Sequence, residues 1–393
     1  MTKRTPVIVA SAALLLVLAA LCVSPRDVAP RFAASNSLPS RLNDQEFWQL
    51  VNTMSEPGGY FRSDNLLSNE DTFQYVIPTL TRRMPLGGVY LGVGPDQNFT
   101  YIETLQPKMA FVVDIRRQNM LELLMYKAIL EMSPDRVDFL SKLFSRPAPE
   151  DLSADASVED LFRAYDDVAP SGAAFRRNLQ AITDRLVGMH GFSLNREDLS
   201  SIEYVYRAFY SAGPDLRYSF PRGGPGGFGG GARGFPSYAE LMMASDTDGV
   251  EHSYLANDHN FQLLRAYELN NLLVPLVGDF GGDKALRAVG RYLTEHGATL
   301  TLLYTSNVEQ YLFQSDDQWR RFYDNLSAIP IDRTSTLLRS YFNMGGGFRF
   351  QQPFGGGGFP SRSGMLMDSI PDLLDAVHDG RVRSYYDVIE RGQ

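Results

Sequence analysis

The stretch Gly88-Val89-Tyr90-Leu91-Gly92-Val93-Gly94-Pro95-Asp96, followed about twenty residues past the turn by Phe111-Val112-Val113-Asp114, decides how the rest of the chain reads. Val89–Val93 and Met109–Val113 are short apolar runs between turn signals, the pattern of buried parallel strands. Between them Asp96 is placed to cap a helix running to Leu105, closed by Pro107. Strand, glycine turn, helix, strand and acid together form the opening βαβ unit of a nucleotide-binding Rossmann-type domain. Gly92 and Gly94 let the backbone approach a ligand, because a Cβ there would obstruct the turn. Asp114 stands where an acid accepts hydrogen bonds from ribose hydroxyls.

Working outward, 393 residues hold one large or two ordinary domains, and 44% hydrophobic residues supply a sizeable core. A net charge of −9 gives no general attraction to nucleic acid or to an anionic membrane, so nucleic acid is not an expected partner. The single cysteine, Cys22, excludes intramolecular disulfides and thiolate metal sites.

Lys3-Arg4 precede an uncharged, Leu/Ala/Val-rich run from Val7 to Val23. Residues 1–23 therefore read as a signal peptide or an N-terminal membrane anchor, with 24–41 as a linker rich in Pro, Ser, Ala and Arg. The basic residues ahead of the run place the body of the protein outside the cytoplasm, membrane-anchored or exported.

The folded part is expected from Leu42. Leu42–Met54 has helical apolar spacing, ended by Glu56-Pro57-Gly58-Gly59. Tyr60–Asn69 reads as a polar loop, and Asp71–Thr81 as a helix. Past Asp114, an apolar helix covers Met120–Leu130, and further helical patterns occupy a region of about 133–240 that interrupts the Rossmann pattern as a helical insertion. The acids between Pro147 and Pro170 recur with no metal-ligand spacing and read as solvated surface. Two glycine tracts, Gly223–Gly234 and Gly345–Gly358, read as flexible loops, and neither carries the lysine and hydroxyl of a P-loop. Leu272–Asp279 and Thr299–Tyr304 are a third and fourth strand around the helix Lys284–His296. That order puts Asp279, and then Ser306, Asn307, Glu309 and Gln310, at strand carboxyl ends, where open α/β sheets bind ligands. Trp319–Phe342 reads as helical, 344–364 as a glycine-rich loop and 365–393 as a C-terminal helix. There is no Gly-x-Ser-x-Gly elbow, and the five histidines have no zinc-ligand spacing, so no catalytic residue and no metal is assigned.

Leu91-Gly92-Val93-Gly94-Pro95-Asp96-Gln97-Asn98 with Val113-Asp114, then Pro275–Phe280 and Ser306–Gln310, resembles a bacterial family with a class I S-adenosylmethionine methyltransferase-like domain. The likeness spans most of 42–343. It implies an α/β, Rossmann-like, mostly parallel sheet with a helical N-terminal cap and a large helical insertion. It also implies that Gly92 and Gly94 hold the methionine part of S-adenosylmethionine and that Asp114 holds its ribose; Pro95-Asp96 stands where a third glycine is usual. Asp96 and Asp279 complete the expected cofactor set. Tyr60, Arg62, Asn65, Ser306, Asn307 and Glu309 are expected to line the pocket around a small-molecule ligand. Two other functions fit the same residues: a non-catalytic exported or membrane-anchored Rossmann-fold binding or scaffold protein, and an NAD-dependent oxidoreductase.

Overall fold

A computed structural model describes residues 37–150, 152–153, 155–218, 235–315, 317–342 and 363–392. The segment 1–23 and both glycine tracts lie outside these residues. Among the described residues no helix is long and apolar enough to cross a membrane.

The centre is a six-stranded sheet: β1 (Val89–Gly92), β2 (Met109–Asp114), β3 (Leu273–Val277), β4 (Leu300–Ser306), β5 (Ile331–Phe342) and β6 (Ser363–Ser369). Their order across the sheet is β3-β2-β1-β4-β5-β6. The first five run parallel, and β6 pairs antiparallel with β5 from Thr336↔Ser369 to Phe342↔Ser363. This is the doubly wound Rossmann order with one antiparallel edge strand. Every residue of β1, β2 and β3 is buried, so both faces of those strands are covered and an apolar run without alternation is what they require.

A helical cap precedes the sheet. In α1 (Asp44–Met54), Asn43 and Glu46 form a reciprocal capping box, and Phe47, Val51 and Met54 face inward. A short 3₁₀ turn, Phe73–Val76, leads into α2 (Ile77–Arg83), with Pro78 in its first turn. β1 and β2 are linked by α3 (Gln97–Leu105), and β2 is followed by α4 (Arg117–Met132), buried on nearly all sides. The insertion then runs through α5 (Arg136–Phe144), α6 (Val158–Arg163), α7 (Gly172–Thr183), α8 (Arg196–Ala212), α9 (Tyr238–Met242) and α10 (Asp258–Leu269). The starts of these helices were written locally: Asp135, Ser157, Ser171, Asn195, Ser237 and Asn257 each accept a hydrogen bond from the backbone three residues on. After β3 come α11 (Ala285–Glu295), and after β4 α12 (Val308–Leu312) and α13 (Gln318–Ser327). The chain closes with α14 (Ile370–His378) and α15 (Tyr385–Arg391).

Two expectations are corrected. Trp319–Phe342 is not one helical stretch: α13 ends at Ser327, Pro330 cannot extend a helix, and Ile331–Phe342 is β5. Residues 365–393 are not one helix either, because Met365–Ser369 completes β6 before α14 begins. In both places the apolar residues are core in either geometry, and pairing with a neighbouring strand decides the outcome.

Candidate functional site

A pocket of about 220 Å³ opens at the carboxyl ends of the strands. Its floor is the turn Gly94-Pro95 after β1, Asp114 to Arg116 at the end of β2, Gly278 to Phe280 after β3, and Ser306 to Val308 after β4. Its rim is formed by Phe61 and Asn65 from the loop ahead of α2, by Tyr218 at the end of the described insertion, and by Tyr311 on α12.

The two glycines of the turn do different work. Gly94 has φ +84° and nothing within 4 Å of where a Cβ would stand, so its backbone faces open pocket. Gly92 does not reach the pocket; a Cβ there would fall 2.0 Å from Asn98 Oδ1 and 2.7 Å from the Tyr90 ring and hydroxyl. Its role is to make room for those two side chains, which hydrogen-bond each other at 2.8 Å. Asp96 also departs from expectation. It caps nothing through its side chain, has a helical backbone, and turns its carboxyl into the interior beneath the insertion. Tyr254 OH donates to Oδ2 at 3.4 Å while Oδ1 has no partner, and burial pushes the carboxyl up to about 7.

Asp114 lines the pocket as read, but it is not alone there. Arg116 donates Nε to Oδ1 at 2.9 Å and Nη2 to Oδ2 at 2.7 Å, and its backbone N–H adds a third bond to Oδ1 at 2.8 Å. Both partners are shielded from water, so the bidentate pair is of the stronger kind. The same guanidinium reaches Asn119 Oδ1 at 3.3 Å and the carbonyl of Asp64.

Asp279 sits at the end of β3 with Oδ1 accepting from Gly281 N at 2.9 Å. The loop is locked by Glu56, whose carboxylate takes the backbone N–H groups of Asp279, Lys284 and Ala285. Ser306, at the end of β4, has φ +49°, a strained conformation for serine. Its hydroxyl is held by Glu70, a buried carboxylate that also accepts from Tyr304 OH at 2.8 Å, Gln97 Nε2 at 2.8 Å and Ser340 Oγ at 2.6 Å. Asn307 lines the pocket and donates to Gln310 at 3.2 Å.

Glu309 points the other way. Its oxygens accept from Arg339 Nε and Tyr323 OH, both at 2.6 Å, in an ion pair almost wholly removed from water. It braces α12 against β5 and does not line the pocket. Tyr60 is 84% exposed and outside the pocket, and Arg62 lies at its mouth with its guanidinium 5.9 Å from the centre of the Tyr311 ring. Asn65, at φ +46°, does line it. Among the described residues, no group of three His, Cys, Asp or Glu side chains is placed to hold a metal.

The sequence profile of a family described as Domain of unknown function (DUF7790) matches residues 66–358. The chain belongs to that family. The match spans all of the parallel sheet and the pocket floor. No curated protein sequence matches the chain. One similar solved structure is the rRNA methyltransferase AviRa from Streptomyces viridochromogenes, at 11% identity, covering 81% of this chain and 96% of that one with a TM-score of 0.30. At that score it carries no argument about this site.

Of the expected residues, the structure gathers Gly94, Asp114, Asp279, Asn65, Ser306 and Asn307 around one pocket and leaves Gly92, Asp96, Tyr60, Arg62 and Glu309 off its wall. The main omissions are Glu70 and the aromatic rim. Glu70 had no sequence signal, since its four donors come from three separate segments: Gln97 on α3, Tyr304 and Ser306 on β4, and Ser340 on β5. Phe61 and Tyr218 sit in loops whose approach to the sheet is set by tertiary packing, with Ser63 Oγ donating to Tyr218 OH at 3.1 Å.

Proposed function

We propose that this protein is a methyltransferase-like protein that binds S-adenosylmethionine as its small-molecule ligand, with no methyl acceptor assigned. The observation that carries the reading is the convergence of Gly94 and Asp114 on one pocket from the carboxyl ends of adjacent strands. The donor set fits the cofactor. Open space in front of Gly94 suits close approach of a ligand chain, Asp114 supplies carboxylate oxygens for ribose hydroxyls, and Ile115 and Phe280 offer apolar walls beside Asp279. Bound there, S-adenosylmethionine would supply an electrophilic methyl group on its sulfonium. The chain's own contribution is to orient the ligand and exclude water. No side chain in the pocket is assigned as a general base.

A non-catalytic ligand-binding role is the second reading, and the Arg116–Asp114 pair favours it, because the ribose-binding acid already has a partner. We propose further that residues 1–23 export the protein or anchor it to a membrane, which a reporter fused after Gln393 would locate. Thermal denaturation with S-adenosylmethionine, S-adenosylhomocysteine or NAD tests the main reading. Ligand at a hundred times its dissociation constant adds about 2.7 kcal/mol to folding. The first two compounds should raise the melting temperature; a shift with NAD alone, or with none, contradicts the assignment.

A further inference from the structure

Behind the Arg116–Asp114 pair lies a carboxyl group with nothing to do. Glu122, on α4, is fully buried and neither of its oxygens has a hydrogen-bond partner. It lies one turn beyond Asn119, whose side chain links the pocket floor to the guanidinium by donating to the Gly94 carbonyl at 3.0 Å and accepting from Arg116 Nη2 at 3.3 Å. The charged groups facing Glu122 are Arg116 and Asp114 at the end of β2, Asp96 at the start of α3, and Asp64 in the rim loop. Tyr126, one turn further along α4, leaves its own hydroxyl without a partner. A buried carboxyl of this kind stays protonated, and desolvation does push Glu122 far above the usual range while the charge of Arg116 opposes it.

A ribose diol and Arg116 compete for the same two oxygens of Asp114. A guanidinium stripped of its carboxylate in so dry a place is costly unless a second anion receives it. Of the other acids grouped around Arg116, Asp64 accepts from Tyr204 OH at 2.9 Å and Asp96 from Tyr254 OH. Glu122 alone has both oxygens open.

We propose that Arg116 exchanges carboxylates when ligand binds, leaving Asp114 to the ribose hydroxyls and passing to Glu122. This deepens the cofactor assignment and rests on it. Glu122 loses its proton to solvent as the guanidinium arrives, so each binding event releases one proton. Arg116 and Glu122 are positioning residues: the first holds the Asp114 carboxylate in place in the free pocket through the bidentate pair, and the second receives the guanidinium when it leaves. Binding is then linked to pH, with affinity rising about tenfold per unit for as long as Glu122 is protonated in the free protein.

Two experiments on the full-length chain separate this from the cofactor assignment. A crystal structure of ligand-free Asp114→Ala removes the competing acid without needing any ligand. Arg116 should then lie within hydrogen-bond distance of Glu122, and an Arg116 found on Asp64 or in solvent overturns the exchange. Calorimetry with S-adenosylhomocysteine in buffers of different ionisation enthalpy counts protons in the wild type. About one should be released per ligand, and Glu122→Gln should abolish both the release and the pH slope. Binding without proton release, or a slope that survives Glu122→Gln, overturns the proposal. Absence of binding contradicts the cofactor assignment and leaves the Asp114→Ala structure to decide the exchange.

Discussion

The side-chain amide of Asn98 donates to the carbonyl of Gly94 at 3.2 Å, and the same nitrogen reaches the carbonyls of Val93 at 3.0 Å and Pro95 at 2.7 Å. One residue on α3 therefore ties together three successive carbonyls of the turn that carries the pocket floor. Asn98→Ala would strip the turn's carbonyls of their shared side-chain donor, with Gly94 keeping Asn119, and would take the Tyr90 hydroxyl's acceptor away. A loss of about 2–4 kcal/mol in urea denaturation is expected from that desolvation, together with weaker ligand binding. Unchanged stability would show that the turn stands without Asn98.

Gly94→Ala separates the turn's conformation from its packing. At φ +84° an alanine costs about 1–2 kcal/mol, yet nothing in the protein opposes the new methyl. The methyl points into the pocket. Binding of S-adenosylhomocysteine should fall at least tenfold while the protein still melts cooperatively. Gly92→Ala should do the reverse: its Cβ meets Asn98 and Tyr90, so stability suffers first.

Glu309→Ala tests the reassignment of that acid from pocket to scaffold. Removing it strands the Arg339 guanidinium in the core, where Asp368 at 3.5 Å is the remaining acid. A cost of roughly 3–5 kcal/mol is expected in chemical denaturation. Ligand affinity of the folded fraction should stay within about twofold of wild type, or less than about 0.5 kcal/mol.

Stability should also depend on pH through His190. Burial drives its imidazolium down, but hydrogen bonds to Glu131 at 2.7 Å and to Asp44, with their charges, outweigh that and hold it above the free value of 6.5. A raised folded value means that protonated His190 favours folding. Its contribution is complete below about pH 6.5 and is lost as pH rises through the raised value. Denaturation midpoints across this window should fall with pH in the wild type and flatten in His190→Gln.

Much of the fold is legible in the residues. Val89–Val93, Met109–Val113, Leu272–Asp279 and Thr299–Tyr304 announce buried strands because parallel strands covered on both faces need unbroken apolar runs, and helix starts are written in single caps such as Asn43 and Asn195. β5 and β6 were illegible for a physical reason: β5 mixes Arg339 and Ser340 with apolar residues, and those polar side chains are satisfied by Glu309 and Glu70 from elsewhere in the chain. The site divides in the same way. Gly94 and Asp114 follow from strand-turn geometry, whereas the inward turn of Asp96, the Arg116 pairing and the four donors on Glu70 depend on packing that no local pattern encodes.

The central claim is that Gly94 and Asp114 form a binding site for S-adenosylmethionine. Titration calorimetry of the full-length chain with S-adenosylhomocysteine, wild type beside Asp114→Ala, tests it most directly. Saturable one-to-one binding by the wild type, weakened at least tenfold, about 1.4 kcal/mol, by the substitution, is the predicted result. No binding by the wild type, or equal binding by both proteins, would contradict it.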